Sequence, residues 1–279
     1  MVSRISLLIR KTIIYVIAVL ILIIVLFPIY WLISSSFKTR IEITSIPPTF
    51  LFYPTLSNMV EILTREAYIR GLMNSLVVCS CSLVMGIILG VPAAYAIARF
   101  DFGHKRDLMF WFLSMRFLPP VAIIIPLYYI WVRLGLYDTY VALIITYSVI
   151  SLPLTILLMV QYFKAVPIEI EEASQVDGCS RLQTFYKIAL PNVLPTLIST
   201  GSLIFILLWN EFFIAFALTQ HNLTLPVTVA AFATISWEIP WGQVCAAASF
   251  LMIPPLVLTA IFRKALISLF LPTEQVKGR

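Results

Sequence analysis

Charge is scarce in this chain, so its few ionisable side chains mark where chemistry or recognition can occur. Charged residues make up 11% of 279 positions. Four carboxylates, Glu169, Glu171, Glu172 and Asp177, share one polar stretch with Arg181 and Lys187. Arg116 and Glu211 stand apart inside long apolar runs, with Asn210 beside Glu211. A guanidinium or carboxylate in such surroundings must pair, close a polar contact between helices or face a water-filled path. Insertion costs about 2.5–3.5 kcal/mol for Arg116, so it should face protein or a cavity. At about 1.5 Å per residue, Arg116 lies roughly 13 Å into its segment and Glu211 roughly 24 Å into its own. A direct ion pair between them is therefore left open.

Other chemistries can be set aside. Cys79, Cys81, Cys179 and Cys245 lack metal-ligand spacing, and positions 79 and 81 point to different faces of a helix. No disulfide framework is expected from them. His104 and His221 fall on opposite sides of the membrane by the topology below. No nucleophile–base pair or phosphate-cradling glycine loop occurs, so this chain alone should not hydrolyse ATP. No metal and no bound cofactor is expected.

Composition places the chain in a membrane. Apolar residues are 61% of it and the mean hydropathy is +1.00, far beyond what a water-facing exterior allows. The net charge of +6 fits basic residues flanking membrane spans better than nucleic-acid binding. Six segments reach the roughly 20 apolar residues that a spanning helix needs: about 12–34, 72–98, 108–132, 141–163, 195–218 and 243–262. The first is too long for a signal-peptide core and lacks a small-x-small site, so it is a true span. Prolines within the spans, including Pro119, Pro120, Pro126, Pro254 and Pro255, should kink the third and sixth helices. Gly86, Gly90, Ala94 and Ala98 form a stripe suited to close helix packing. Tyr30, Trp31, Tyr128, Tyr129 and Trp131 suit interfacial belts.

Basic residues set the orientation. With the N-terminus inside, thirteen of the lysines and arginines lie on the inner side. Five, Lys38, Arg40, Arg65, Arg70 and Arg133, lie outside. Both termini are therefore expected in the cytoplasm, as is the loop 164–194.

That loop has its own grammar. Pro167 suits a first helical position, and Glu169, Glu171 and Glu172 suit the positive end of a helix dipole. Gly178 can end the helix in a left-handed turn. Ser180 with Gln183 matches a capping box for a second short helix, on which Leu182, Phe185, Ile188 and Ala189 form one apolar face. Pro191 and Pro195 should then break it before the fifth span. Such a knob could rest on lipid headgroups, but its acidic first helix favours a protein partner.

Glu172-Ala173-Ser174, three residues, Gly178, nine residues and Ile188-Ala189-Leu190-Pro191 resemble the signature of ABC importer permease subunits, with Ser174 where a second Ala is usual. Arg116-Phe117-Leu118-Pro119-Pro120, Leu134-Gly135-Leu136-Tyr137-Asp138-Thr139, Trp209-Asn210-Glu211-Phe212 and Tyr95-Ala96-Ile97-Ala98-Arg99-Phe100 are similar to carbohydrate permeases of the maltose type, and the likeness covers about residues 12–270. Family members often end in a Gly-rich tail closing in Val-Lys-Gly. This chain has Val276-Lys277-Gly278 after Leu271-Pro272-Thr273-Glu274.

The resemblance implies an all-α membrane protein with six transmembrane helices, the type I ABC importer (MetI-like) permease fold, forming a single domain over 1–279. It implies an inner-membrane subunit that moves a sugar or polyol. Its partners would be a second homologous permease, two ATP-binding subunits that hold ATP and Mg, and an extracytoplasmic solute-binding protein facing loops 35–71 and 219–242. Glu172, Ala173, Ser174, Asp177 and Gly178 would then form the ATPase-docking knob, with Ile188, Leu190 and Pro191 anchoring it to the spans. Arg116, Asn210 and Glu211 would line the translocation path, where hydroxyls need donors and acceptors. The alternatives are an ABC importer of a non-sugar solute, an ion-coupled secondary transporter and a membrane scaffold.

Overall fold

The computed structural model describes residues 2–234 and 239–270. The terminal segment 271–279 lies outside the described residues. The elements are helical throughout. In chain order they are α1 (Val2–Ser36), α2 (Arg40–Thr44), α3 (Ser57–Thr64), α4 (Glu66–Arg99), α5 (Lys105–Met115), α6 (Pro120–Arg133), α7 (Tyr140–Ala165) and α8 (Ile168–Val176). There follow α9 (Arg181–Thr184), a π-turn (Phe185–Ala189), α10 (Leu190–Trp209), α11 (Phe213–Leu218), α12 (Leu225–Phe232), α13 (Trp241–Leu251) and α14 (Ile253–Phe270). Among the described residues five helical stretches are long and apolar enough to cross a membrane, and six if the bent α5–α6 pair counts as one.

Two segments depart from the expected spans. The third is not a kinked rod, because α5 and α6 meet at 94°. Arg116 caps α5 and Pro119 is extended (φ −64°, ψ 131°). A proline disfavours helical backbone at the residue before it, and two in succession leave no way to continue the helix. The fifth span starts and stops earlier than 195–218: helix runs from Arg181 to Trp209, and α11 is a separate short helix.

Pro191 and Pro195 also do not break the chain there. The π-turn lets the Leu190 amide reach the Phe185 carbonyl, a widened turn that admits proline without its usual clash. Side chains add bonds to neighbouring carbonyls: Asn192 Nδ2 donates to the Ile188 carbonyl at 2.8 Å and Ser199 Oγ to that of Pro195 at 2.9 Å.

The described residues form two compact units. In one, Met1–Ile69 with Val229–Met252, α13 packs on α1 and α3. Lys38 is buried there, its ammonium 4.1 Å from the Trp31 ring and donating to the Thr49 carbonyl at 2.8 Å. Asn58 holds the carbonyls of Ser36 and Lys38. The other unit, Arg70–Thr228 with Ile253–Arg279, has its core where α4, α7, the π-turn and α10 meet, around Ala94, Met159, Phe163, Phe185 and Val193. The small-residue stripe of α4 faces α7 here. A Cβ on Gly90 would sit 2.9 Å from Thr155 Cγ2, so only the bare backbone fits.

Candidate functional site

The 164–191 segment is a hairpin. Pro167 precedes the first helical position of α8 rather than occupying it, and Glu169 and Glu171 stand in the first turn. Gly178 adopts φ +91°. The Cys179 amide reaches back to the Ser174 carbonyl at 3.0 Å, the six-to-one bond of a helix closed by a left-handed residue. Ser180 and Gln183 then exchange bonds: Ser180 N–H to Gln183 Oε1 at 2.9 Å, Gln183 N–H to Ser180 Oγ at 3.3 Å. This capping box starts α9 one turn after α8 ends.

The two helices are stapled internally. Ser174 is buried, donates to the Glu171 carbonyl at 2.7 Å and lies 3.0 Å from the Thr184 hydroxyl. Ser174 therefore faces the seam between the helices and is unavailable as part of an outer knob. Glu172, Ala173, Asp177 and Gly178 are exposed. Leu182, expected on the inner apolar face with Phe185 and Ala189, is 67% exposed, and Val176 is 87% exposed. Behind the hairpin Ala189 is buried, Ile188 and Leu190 are half-buried, and Pro191 is exposed. Leu190 packs on the core.

Sequence reasoning passed over the residue that fastens this hairpin. Glu171, beside the singled-out Glu172, is only 3% exposed. Its Oε1 receives Arg99 Nε at 2.8 Å and Nη2 at 2.7 Å, and its Oε2 receives the Tyr95 hydroxyl at 2.7 Å. Arg99 Nη2 also donates to the Val166 carbonyl at 2.9 Å. The available signal was spacing: positions 171 and 174 share a helix face, and a carboxylate on that inward face needs a cation.

The intramembrane candidates separate. Arg116, at the corner between α5 and α6, lines a cavity of about 500 Å³ with Leu118, Ile130, Trp131, Thr146 and Pro153. Its polar wall is small; Trp131 Nε1 donates to Thr146 Oγ1 at 3.0 Å. Glu211 does not line that cavity. Its Oε2 receives the Tyr147 hydroxyl at 2.8 Å and the Ala215 amide at 3.2 Å, and Oε1 receives the Ile214 amide at 2.9 Å. Exposed Asn210 donates to the Ile206 carbonyl at 2.8 Å. Among the described residues Arg116 and Glu211 form no ion pair with each other.

Asp138 ties the α6–α7 connection to the loop before α12. Its carboxylate accepts the amides of Gln220, His221 and Asn222 at 2.9–3.1 Å and lies 2.9 Å from His221 Nδ1. Burial alone would raise its pKa, but the backbone and ring donors outweigh that and hold it below the ordinary carboxylate value. A depressed folded pKa contributes stability that is present above the unfolded value and lost as pH falls through the folded one. Asp138→Asn should therefore lower the melting temperature of the solubilised protein at pH 7, and the gap from wild type should close as pH falls below about 4. A gap independent of pH would refute the assignment.

Comparison with known proteins bears on the whole chain. Residues 86–270 match the family described as binding-protein-dependent transport system inner membrane component. The trehalose/maltose transport system permease protein of Thermococcus litoralis is 33% identical over 264 residues, covering 90% of this chain and 91% of that one. The trehalose transport system permease protein of Mycobacterium tuberculosis is 32% identical, with 91% and 93% covered. The fold matches the crystal structure of a bacterial ABC transporter involved in import of the acidic polysaccharide alginate: TM-score 0.76, 22% identity, 92% of this chain and 96% of that chain. An all-helical, multi-pass body with this alignment excludes the secondary-transporter and scaffold readings: the chain belongs to the family of binding-protein-dependent transport system inner membrane components and is the permease subunit of an ABC transporter.

Proposed function

We propose that this subunit imports a carbohydrate or polyol across a bacterial inner membrane, with both termini and the 164–191 hairpin in the cytoplasm. Relatives with named solutes include permeases of transport systems for trehalose, maltose, diacetylchitobiose and sulfoquinovosyl glycerol, which supports a glycosidic or polyhydroxylated cargo. The subunit works beside a second, homologous permease, two ATP-binding subunits and an extracytoplasmic solute-binding protein. ATP and Mg are held by the ATP-binding subunits, and this chain binds no cofactor of its own. Arg116, Asn210 and Glu211 lie along or beside the solute path, with Arg116 presented to the cavity at the α5–α6 corner.

The observation that carries the coupling role is the hairpin's build. Local caps and the buried Ser174–Thr184 contact make it stiff, while Glu172, Ala173, Val176, Asp177 and Leu182 turn an apolar and acidic face outward. Such a face fits a groove on an ATP-hydrolysing partner. Closure of the ATPase dimer moves the knob, and the spans attached to it reorient between inward and outward access.

Val176→Asp with Leu182→Asp places two charges on that face without touching the seam. ATPase retained on the tagged permease should fall at least about tenfold, equivalent to about 1.4 kcal/mol, with the permease still in the membrane. Full retention would remove the docking role. Reconstituted vesicles offered labelled trehalose, maltose and methionine should take up sugar and not methionine; the reverse would overturn the carbohydrate assignment.

A further inference from the structure

We propose that Arg99, Glu171 and Tyr95 form the linkage that passes displacement of the hairpin to α4. This rests on the reading of the hairpin as the ATPase-docking element, and it concerns a different surface, the hairpin's back. The hairpin joins the rest of its unit through two chain connections, the short link at Val166–Pro167 and the π-turn into α10. Its third attachment crosses 72 positions of sequence to reach α4.

That attachment is directional. Two guanidinium donors and one phenol meet a single carboxylate at 2.7–2.8 Å, with the side chains of Arg99 and Glu171 only 9% and 3% exposed. Arg99 simultaneously holds the residue that caps the C-terminus of α7, through the Val166 carbonyl. The Tyr95 ring packs against Phe163 of α7 and Phe185 of the π-turn, with centroids at 5.3 and 4.8 Å. Four segments thus converge on one buried charge pair.

Apolar helix contacts alone permit small sliding. Here two guanidinium donors converge on one carboxylate oxygen while a phenol holds the other, and such charge-assisted bonds resist sliding. Buried pairs contribute little net stability against an apolar replacement, so geometry is what such a pair is suited to supply. From Arg99 the constraint continues along α4, whose Gly90 lies so close to α7 that a Cβ there would sit 2.9 Å from Thr155 Cγ2. A push on the hairpin therefore moves α4 and α7 together.

The test uses the assembled transporter with Cys79, Cys81, Cys179 and Cys245 replaced by Ala and spin labels at Leu89→Cys and Gln175→Cys, both exposed sites. In the parent, the interlabel distance should stay within about 2 Å between the nucleotide-free and ADP-vanadate-trapped states, because the two sites belong to one rigid body. Glu171→Gln should broaden the distribution about twofold and let it shift on trapping, since the carboxamide keeps one acceptor oxygen but loses the charge and the second acceptor that hold Arg99 and Tyr95 together. ATPase retention should remain at the parent level. Tyr95→Phe, which removes one bond, should fall between. Parent-like distributions in both variants would overturn the linkage. So would loss of the ATPase from the Glu171→Gln complex, which would assign the pair to maintaining the docking face. Failure of the docking reading itself appears separately, as a parent complex that retains no ATPase.

Discussion

Glu211→Ala is expected to remove most of the chain from the membrane fraction. The carboxylate occupies the point where helix stops at Trp209 and restarts at Phe213, and it serves three donors: the amides of Ile214 and Ala215 and the Tyr147 hydroxyl. Tyr147 is 1% exposed. Truncation leaves these groups unpaired away from water at about 1–3 kcal/mol each. Even with incomplete additivity, the loss is a large part of the roughly 5–15 kcal/mol that holds a typical domain together. Glu211→Gln keeps one carbonyl oxygen and should be intermediate, whereas Tyr147→Phe removes a donor together with its need and should cost about 1 kcal/mol. The ordering Ala, then Gln, then Phe in membrane abundance and melting temperature is the measurement. An alanine variant with normal abundance would show that Glu211 is not a structural cap, returning it to the solute path alone.

The same residue shows where sequence reasoning stops. Hydropathy averages over a window, so 195–218 reads as one greasy run; the break at 210–212 depends on a contact between Tyr147 and Glu211, 64 positions apart. At Arg116–Pro119 the prolines signal weakness but carry no information about the direction of the turn, which is set by what α5 and α6 pack against. The hairpin was legible in detail because its determinants are local: acidic residues in the first turn, Gly178 at the stop, and Ser180 three positions before Gln183 at the restart. Its attachment was not legible, since Arg99 is a flank charge in any topology count until the fold brings it to Glu171. The inward turn of Ser174 and outward turn of Leu182 likewise follow from how α8 and α9 face each other, which neither helix specifies alone.

Gly178→Val should separate membrane residence from coupling. A Cβ at this position meets nothing within 4 Å, so the penalty is purely one of backbone: φ +91° is accessible to glycine and strained for a β-branched residue, by about 1–3 kcal/mol. The hairpin can relieve that strain by giving up the Cys179–Ser174 bond, which swings Ser180 and its capping box away from α8 and pulls Thr184 off Ser174. All of these groups belong to the 164–191 hairpin, away from the core where α4, α7 and α10 meet, so abundance and melting temperature should change little. The outer face, however, loses the relative placement of Asp177 and Leu182. A relief of about 1.4 kcal/mol through an altered turn corresponds to tenfold fewer chains in the docking geometry, so retained ATPase should fall by about that factor. Gly178→Asn provides the control, because asparagine tolerates positive φ better than other side chains; it should retain most of the ATPase. If valine and asparagine variants both behave as wild type, the left-handed turn is incidental to docking. If both lose the ATPase equally, the missing side chain, rather than the turn, is what the partner requires.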